Sequence, residues 1–128
     1  MNGNDSVTLN PGPIMRLATS YWESRCFLTA NRLGIFEALA GGTKTADEVA
    51  ATLHLAPRQT RLLLKACVGL GLLEEDSEGF RNHPRSQAFL VRGSRAFLGD
   101  AMRYAADMWD AWTGLDAAVV DGVPAIES

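Results

Sequence analysis

Apolar residues recur at helical spacing over most of the 128-residue chain, most clearly from Thr45 to Phe80. Two consecutive segments there carry apolar residues three or four positions apart, which is typical of amphipathic helices. Thr45 and Glu48 precede the first segment as a capping box, in which each side chain bonds the other residue's backbone N–H. Pro57 suits the first turn of the second helix, where a missing N–H has little cost. The pattern predicts two helices joined by a tight turn.

The same stretch continues into a hairpin pattern. The first helix is expected to bury Val49, Ala50 and Leu53, and the second to bury Leu62, Leu63, Ala66, Cys67 and Leu70. Two glycines then end the second helix, and two short strands are predicted over Leu72-Leu73-Glu74 and Gly79-Phe80-Arg81. Helix, turn, helix and hairpin make a winged helix-turn-helix. Such a unit occurs both in DNA-binding proteins and at subunit contacts, so it does not decide function.

A long helix is predicted before this unit, from Pro13 to about Leu33. Its apolar residues occupy two adjacent faces, Ile14, Leu17, Ala18, Tyr21 and Leu28 on one, and Met15, Trp22 and Cys26 on the other. A helix that is apolar on more than one side needs more than one surface to pack against. It is therefore either the central core helix of this domain or a helix that also contacts a partner subunit.

After the hairpin, a short helix over Pro84 to Val91 and a long helical segment over Arg95 to Asp121 are expected, the latter capped by Ser94. Gly99 and Gly114 lower helix propensity, so the segment is one helix or two with a bend. Its tryptophans, tyrosine and methionines carry more apolar area than a small domain can enclose, and part should face another subunit, another domain or a ligand. The expected fold is mainly α, a winged helix-turn-helix with a small two-stranded wing, flanked by long N- and C-terminal helices.

Composition narrows the classes of protein. With 47% apolar and 21% charged residues the chain is globular, and a net charge of −3 disfavours a polyanionic partner. Residues 1–12 are rich in Asn and Gly and are expected to be disordered, which leaves residues 13–128 as one domain. No signal peptide is visible, and no apolar run approaches the ~20 residues that span a bilayer. The sequence thus predicts a cytoplasmic protein without membrane contact.

Few groups suited to catalysis are present. His54 and His83 fall in loops with no carboxylate placed to orient them, and no spacing fits a metal site. Cys26 and Cys67 lie inside apolar helical patterns and are expected to be buried thiols. Gly69-Leu70-Gly71 follows a helix rather than a strand and lacks the third glycine of a dinucleotide site. The chain is predicted to supply no catalytic, cofactor-binding or metal-binding residue.

A DNA-binding transcription regulator is the alternative function. Arg58, Arg61 and Lys65 share one face of the second helix, as they would in a recognition helix. The wing, however, carries four carboxylates within Glu74 to Glu78, where a DNA-binding wing approaches phosphates. Phosphate attraction supplies most non-specific affinity, so an acidic wing opposes binding.

Several motifs in order resemble the N-terminal domain of small-molecule O-methyltransferases of the caffeic-acid, acetylserotonin and bacterial polyketide type. The motifs are Leu33-Gly34-Ile35-Phe36-Glu37-Ala38-Leu39, Thr45-Ala46-Asp47-Glu48-Val49-Ala50, Gly69-Leu70-Gly71-Leu72-Leu73-Glu74, Trp112-Thr113-Gly114-Leu115 and Asp121-Gly122-Val123-Pro124. The resemblance implies a winged-helix-like dimerisation domain, a homodimer formed through the helices from Pro13 and Ser94, and a wall over a small-molecule acceptor. It also implies that S-adenosylmethionine and the catalytic base belong to a following Rossmann-type domain, absent from this chain, so that the chain alone methylates nothing.

The resemblance also implies acceptor-binding positions. Counted back from Trp112, the residues that match the family's acceptor-lining helix are Met102, Arg103, Ala106 and Trp109. Packing explains Met102 and Trp109 equally well, whereas Arg103 is the better candidate for a polar contact to substrate. Trp22 on the first helix is a candidate to reach the partner's pocket. A stand-alone ligand-sensing or scaffold domain related to these enzymes is a third possible function.

Overall fold

The structure, a computed structural model, describes residues 9–122. It is mainly helical, and the predicted fold class is confirmed. The elements in chain order are α1 Gly12–Leu33, α2 Ile35–Ala38, α3 Ala46–Leu53, α4 Pro57–Gly69, β1 Leu73–Asp76, β2 Gly79–Asn82, α5 Pro84–Phe89, α6 Gly99–Asp107, α7 Trp109–Trp112 and α8 Leu115–Asp121. The predicted disordered tail, residues 1–12, lies for the most part outside the described residues.

The winged unit forms through the local signals that its sequence carries. The Thr45 hydroxyl accepts the backbone N–H of Glu48 at 3.1 Å, and the Glu48 carboxylate accepts that of Thr45 at 2.8 Å. Pro57 is the first residue of α4, as predicted. The wing is a two-stranded antiparallel sheet, and Lys44 adds an isolated bridge to its second strand at Phe80. This bridge ties the wing to the segment that starts α3.

The core lies where α1, α2, α3, α4 and the wing meet. Its most deeply buried side chains are Ile35, Phe36, Leu39, Val49, Leu64 and Cys67. The prediction for α4 was wrong at Leu62, which is 60% exposed, and it omitted Leu64, which is fully buried. Three consecutive leucines, residues 62–64, fit more than one helix face, and burial follows the four-then-three spacing of Thr60, Leu64 and Cys67.

The first helix is a single element with two different halves. Its buried residues are Leu28, Ala30 and Asn31, all in the second half. The predicted apolar stripe is otherwise exposed in the first half, where Ile14 is 71% and Leu17 79% exposed. The helix was expected to be either a core helix or one that also contacts a partner subunit, and each alternative fits one half of it. One half is a core helix, and the other presents apolar side chains that the described chain does not cover.

The C-terminal segment differs from the predicted long helix. It forms three short helices, with breaks at Met108 and at residues 113–114. Ser94 does not cap the segment, because its hydroxyl donates to the Ala88 carbonyl at 2.6 Å and the helix starts only at Gly99. The bend expected at Gly114 is present, whereas Gly99 begins a helix instead of weakening one.

Candidate acceptor wall and association surface

A buried hydrogen bond fixes the start of α6 against α1. The side-chain amide of Asn31, which is 9% exposed, donates to the carbonyl of Gly99 at 3.1 Å. Gly99 is itself buried, and the ring of Phe97 lies where a side chain at position 99 would stand. The amide of Asn31 is thus the polar link between the core and the helix that carries the predicted acceptor residues.

Arg92 joins three parts of the chain beside this link. Its backbone N–H donates to the carboxylate of Glu37 on α2, with one oxygen at 3.1 Å. Its guanidinium binds Asp100 on α6 at 2.8 Å and lies 4.8 Å from the centre of the Phe97 ring. The hydrogen bond from Arg92 lowers the pKa of Asp100, and the Asp100 carboxylate in turn raises the pKa of Arg92. These contacts hold the loop between α5 and α6.

Two of the predicted acceptor residues, Arg103 and Trp109, line two separate clefts, whereas Met102 and Ala106 line neither. Arg103 lines a small cleft that also includes Asn31, Glu37 and Arg92, and it forms no ion pair within residues 9–122. Met102 packs against the core. A side chain that packs there is less available to a ligand than that of Arg103. The expectation that Arg103 is the polar member of the set stays a prediction.

Trp109 lines a separate apolar groove with Ala105, Trp112 and Thr113. The guanidinium of Arg25 on α1 lies 5.3 Å from the centre of its ring, a cation–π contact that joins α1 to α7. Trp22, 45% exposed, is one helical turn before Arg25 on the same helix.

The sequence interpretation missed Arg25. The available signal was its position three residues after Trp22, which places the two side chains on neighbouring parts of one helix face. Ala106, on α6, is half-buried and lines neither cleft. The structure therefore associates Trp109 with α1 but does not place Arg103, Ala106 and Trp109 in a single pocket.

Two sets of exposed apolar side chains make up what we call the association surface. The first set is on α1 and the second on α6 to α8, and the members are Ile14, Met15, Leu17, Tyr21 and Trp22, then Tyr104, Trp112, Leu115, Val119 and Val120. Val119 and Val120 are 76% and 80% exposed. Exposed apolar side chains in such numbers on a small domain make these helices the candidates for a site of association.

The wing neutralises part of the basic face of α4. The ammonium group of Lys65 binds the Glu75 carboxylate at 2.8 Å, and Arg81 binds Glu74 at 3.0 Å and Asp76 at 2.7 Å. The pKa of Asp76 is lowered, first by the backbone N–H of Glu78 and then by Arg81. Lys65 is thus engaged by a carboxylate where a DNA-binding protein would present it to a phosphate.

The remaining side chains that could take part in catalysis, two histidines and two cysteines, have structural roles or are shielded from solvent. His83 accepts the backbone N–H of Arg85 at 3.1 Å and caps α5, and His54 ends α3 with a left-handed backbone. Burial raises the pKa of the Cys67 thiol to about 12, and Cys26 is half-buried rather than buried. Across residues 9–122 no three His, Cys, Asp or Glu side chains are grouped to hold a metal. In the same range no helix is long and apolar enough to cross a membrane.

Comparisons with known proteins agree on one family. A family model described as the O-methyltransferase dimerisation domain matches residues 15–92. The N,N-dimethyltransferase OxyT of Streptomyces rimosus is 36% identical over 110 residues, which cover 85% of this chain and 32% of that protein. Acetylserotonin O-methyltransferase of Rattus norvegicus is 37% identical over 111 residues, or 85% of this chain and 26% of that protein.

Solved structures give the same result. The human N-acetylserotonin methyltransferase, crystallised in complex with SAM, superposes with a TM-score of 0.80 at 27% identity, over 94% of this chain and 40% of that chain. The present chain spans about a quarter to a third of the length of the two relatives described above. The match to the family model covers more than half of the chain and includes most of α1 and all of α2 to α5. The chain belongs to the O-methyltransferase dimerisation domain family.

Proposed function

We propose that this chain joins two subunits of an S-adenosylmethionine-dependent small-molecule methyltransferase and forms one wall of its acceptor site. The observation that carries the proposal is the association surface, because its apolar side chains lie on the long first helix and on the C-terminal helices and the described chain leaves them exposed. Burial in a dimer would remove this area from water, which is the main source of association free energy.

The methyl donor is proposed to bind outside the described residues. The chain spans 26–32% of the curated relatives described above, and the human relative was crystallised with SAM. We assign the donor site and the catalytic base of the whole protein to a following Rossmann-type domain. The relatives include both an N,N-dimethyltransferase and an O-methyltransferase, so the acceptor atom is a nitrogen or an oxygen.

The acceptor wall is proposed to use Met102, Arg103, Ala106 and Trp109, with Trp22 supplied by the partner subunit. Support comes from two contacts described above. The Asn31 hydrogen bond fixes the start of α6, and Arg25 holds Trp109 against α1. A wall that must orient a substrate needs side chains held by such supporting contacts.

Sedimentation equilibrium of this chain tests the subunit contact. We expect a species of twice the 13.8 kDa monomer mass at micromolar concentration. Leu17→Glu replaces a leucine that is 79% exposed in the protomer and would place a carboxylate in the contact of each subunit, so it should give a monomer. Leu62→Glu is the matched control, since Leu62 is also an exposed helix leucine, at 60%, but lies on α4 outside the association surface.

The two variants together make the outcome decisive. A wild-type monomer at micromolar concentration would remove the dimer from the proposal. Equal dissociation by Leu62→Glu and Leu17→Glu would show that the loss is not specific to α1 and would contradict the assignment of the contact to the association surface. Unchanged far-UV circular dichroism of both variants would confirm that dissociation does not reflect unfolding.

A further inference from the structure

The basic face of α4 is not used by the function proposed above. The helix carries Arg58, Arg61 and Lys65 and has no carboxylate. Arg58 is its second residue, and a helix N-terminus carries a positive partial charge that disfavours cations. The neighbouring helix α3 follows the usual rule, with Asp47 and Glu48 in its first turn. The position of Arg58 is therefore electrostatically unfavourable in the isolated chain.

Two of the three cations remain available to a partner. Lys65 is bound by Glu75 at 2.8 Å. Among the described residues no carboxylate pairs with Arg58 or Arg61, and both are exposed. Leu62 directly follows Arg61 in the sequence and lies one helical turn after Arg58, and its side chain is 60% exposed. Two free guanidinium groups and an apolar side chain thus share one surface.

The chemistry of this surface selects the kind of partner. A nucleic acid brought to Arg58 and Arg61 would also approach the wing, where Glu75, Asp76 and Glu78 are exposed. Phosphate backbones offer nothing for Leu62 to bury against. A helix with carboxylates beside an apolar stripe satisfies both groups, because guanidinium–carboxylate pairs form strong, directed hydrogen bonds and the leucine leaves water.

We propose that Arg58, Arg61 and Leu62 form a docking surface for an acidic amphipathic helix of another protein. Its carboxylates bind the two arginines, and one of its apolar side chains covers Leu62. The acidic wing beside the surface then acts against nucleic acids, since like charges that approach each other reduce affinity for the wrong partner.

The test uses fluorescence anisotropy with three labelled probes. The first is a glutamate-rich helical peptide of about 18 residues, or five turns, with one stripe of leucine. The second has serine in place of each leucine at equal charge, and the third is a mixed-sequence DNA duplex. We expect the leucine peptide to bind most tightly and the Arg58→Ala/Arg61→Ala variant to bind it at least about tenfold more weakly. Leu62→Ser should weaken the leucine peptide and leave the serine peptide unchanged.

A matched control removes the same charge elsewhere. Arg32→Ala/Arg95→Ala changes two arginines that are exposed and, within residues 9–122, unpaired. It should leave peptide affinity within about twofold of the wild type, since exposed charges at a distance are screened by salt. Equal losses in both double variants, tighter binding of the duplex than of either peptide, or no peptide binding would each overturn the proposal. So would self-association lost only in Arg58→Ala/Arg61→Ala, since the wing of a second copy would then be the occupant.

Discussion

Gly79, at the start of β2, is the position where a single methyl group should have a large effect on stability. Its φ of +142° is a conformation that residues with a side chain rarely adopt. An added Cβ would lie 2.7 Å from the carbonyl carbon of Lys44, which belongs to the backbone and has no flexible end to move. The methyl group therefore competes directly with the bridge between Lys44 and Phe80.

The expected magnitude follows from the contacts at this bridge. Phe80 donates to the Lys44 carbonyl at 2.8 Å, and Lys44 donates to the Phe80 carbonyl at 2.9 Å. Loss of two such hydrogen bonds removes about 1–3 kcal/mol, and a strained backbone costs about 1–3 kcal/mol. Because relaxation exchanges one cost for the other, we expect Gly79→Ala to lower the free energy of unfolding by about 1–3 kcal/mol. Gly41→Ala is the control, since no atom lies within 4 Å of its added Cβ.

Urea denaturation followed by far-UV circular dichroism measures this difference. Both variants must be compared at one protein concentration, because association contributes to apparent stability. Gly41→Ala should stay within about 0.5 kcal/mol of the wild type, as surface substitutions usually do. A Gly79→Ala variant as stable as Gly41→Ala would refute the conclusion that the bridge excludes a side chain at position 79.

Three further predictions concern single side chains. The backbone N–H and hydroxyl of Thr45 lower the pKa of Glu48, so the stabilisation is complete above about pH 4.3, the carboxyl's ordinary pKa, and is lost as pH falls through the lower folded value. Glu48→Gln should flatten this acid limb in urea titrations between about pH 2 and 5, and Thr45→Ala, which keeps the backbone N–H, should flatten it only in part. Burial raises the pKa of the Cys67 thiol to about 12, so little reactive thiolate is present at pH 8. In a Cys26→Ser variant, alkylation of Cys67 at pH 8 should be roughly a thousandfold slower in the folded than in the unfolded chain, and equal rates would contradict this. Asn31→Ala leaves the buried carbonyl of Gly99 without its donor and should lower the free energy of unfolding by about 1–3 kcal/mol. Relative to the wild type, amide hydrogen exchange should become faster in α6 and stay unchanged in α3, and an equal increase in both helices would contradict a local link.

The sequence predicted the winged unit well because its signals are local. A capping box needs two side chains three residues apart, and Pro57 fixes a helix start by its own ring. The burial of Leu64 instead of Leu62 could not be predicted, because a run of three leucines has no unique helical face and the choice is made by contacts with distant residues.

The candidate site was less predictable. Arg103 and Trp109 are six residues apart, yet the break at Met108 and the loop before Gly99 place them in different clefts. The loop is set by Glu37 and Asp100 on either side of Arg92, and Glu37 is 55 residues away from Arg92 in sequence. Ser94 does not cap the helix, because its hydroxyl donates to the carbonyl of Ala88, six residues earlier, a contact that a capping pattern does not predict. The family resemblance indicates the candidate positions, but the neighbours of each side chain depend on tertiary contacts that the sequence pattern does not contain.

The continuity of α1 links subunit association to the acceptor wall. With 22 residues it spans about 33 Å, and its exposed apolar residues and its bond to α6 lie in opposite halves. If a dimer forms on the first half, any tilt of the helix between free and paired subunits displaces Asn31, and with it the start of α6. Association and acceptor binding would then be thermodynamically linked, and each would strengthen the other by the same factor. Under this linkage, dilution that separates the subunits should weaken acceptor binding even where no acceptor contact crosses between them.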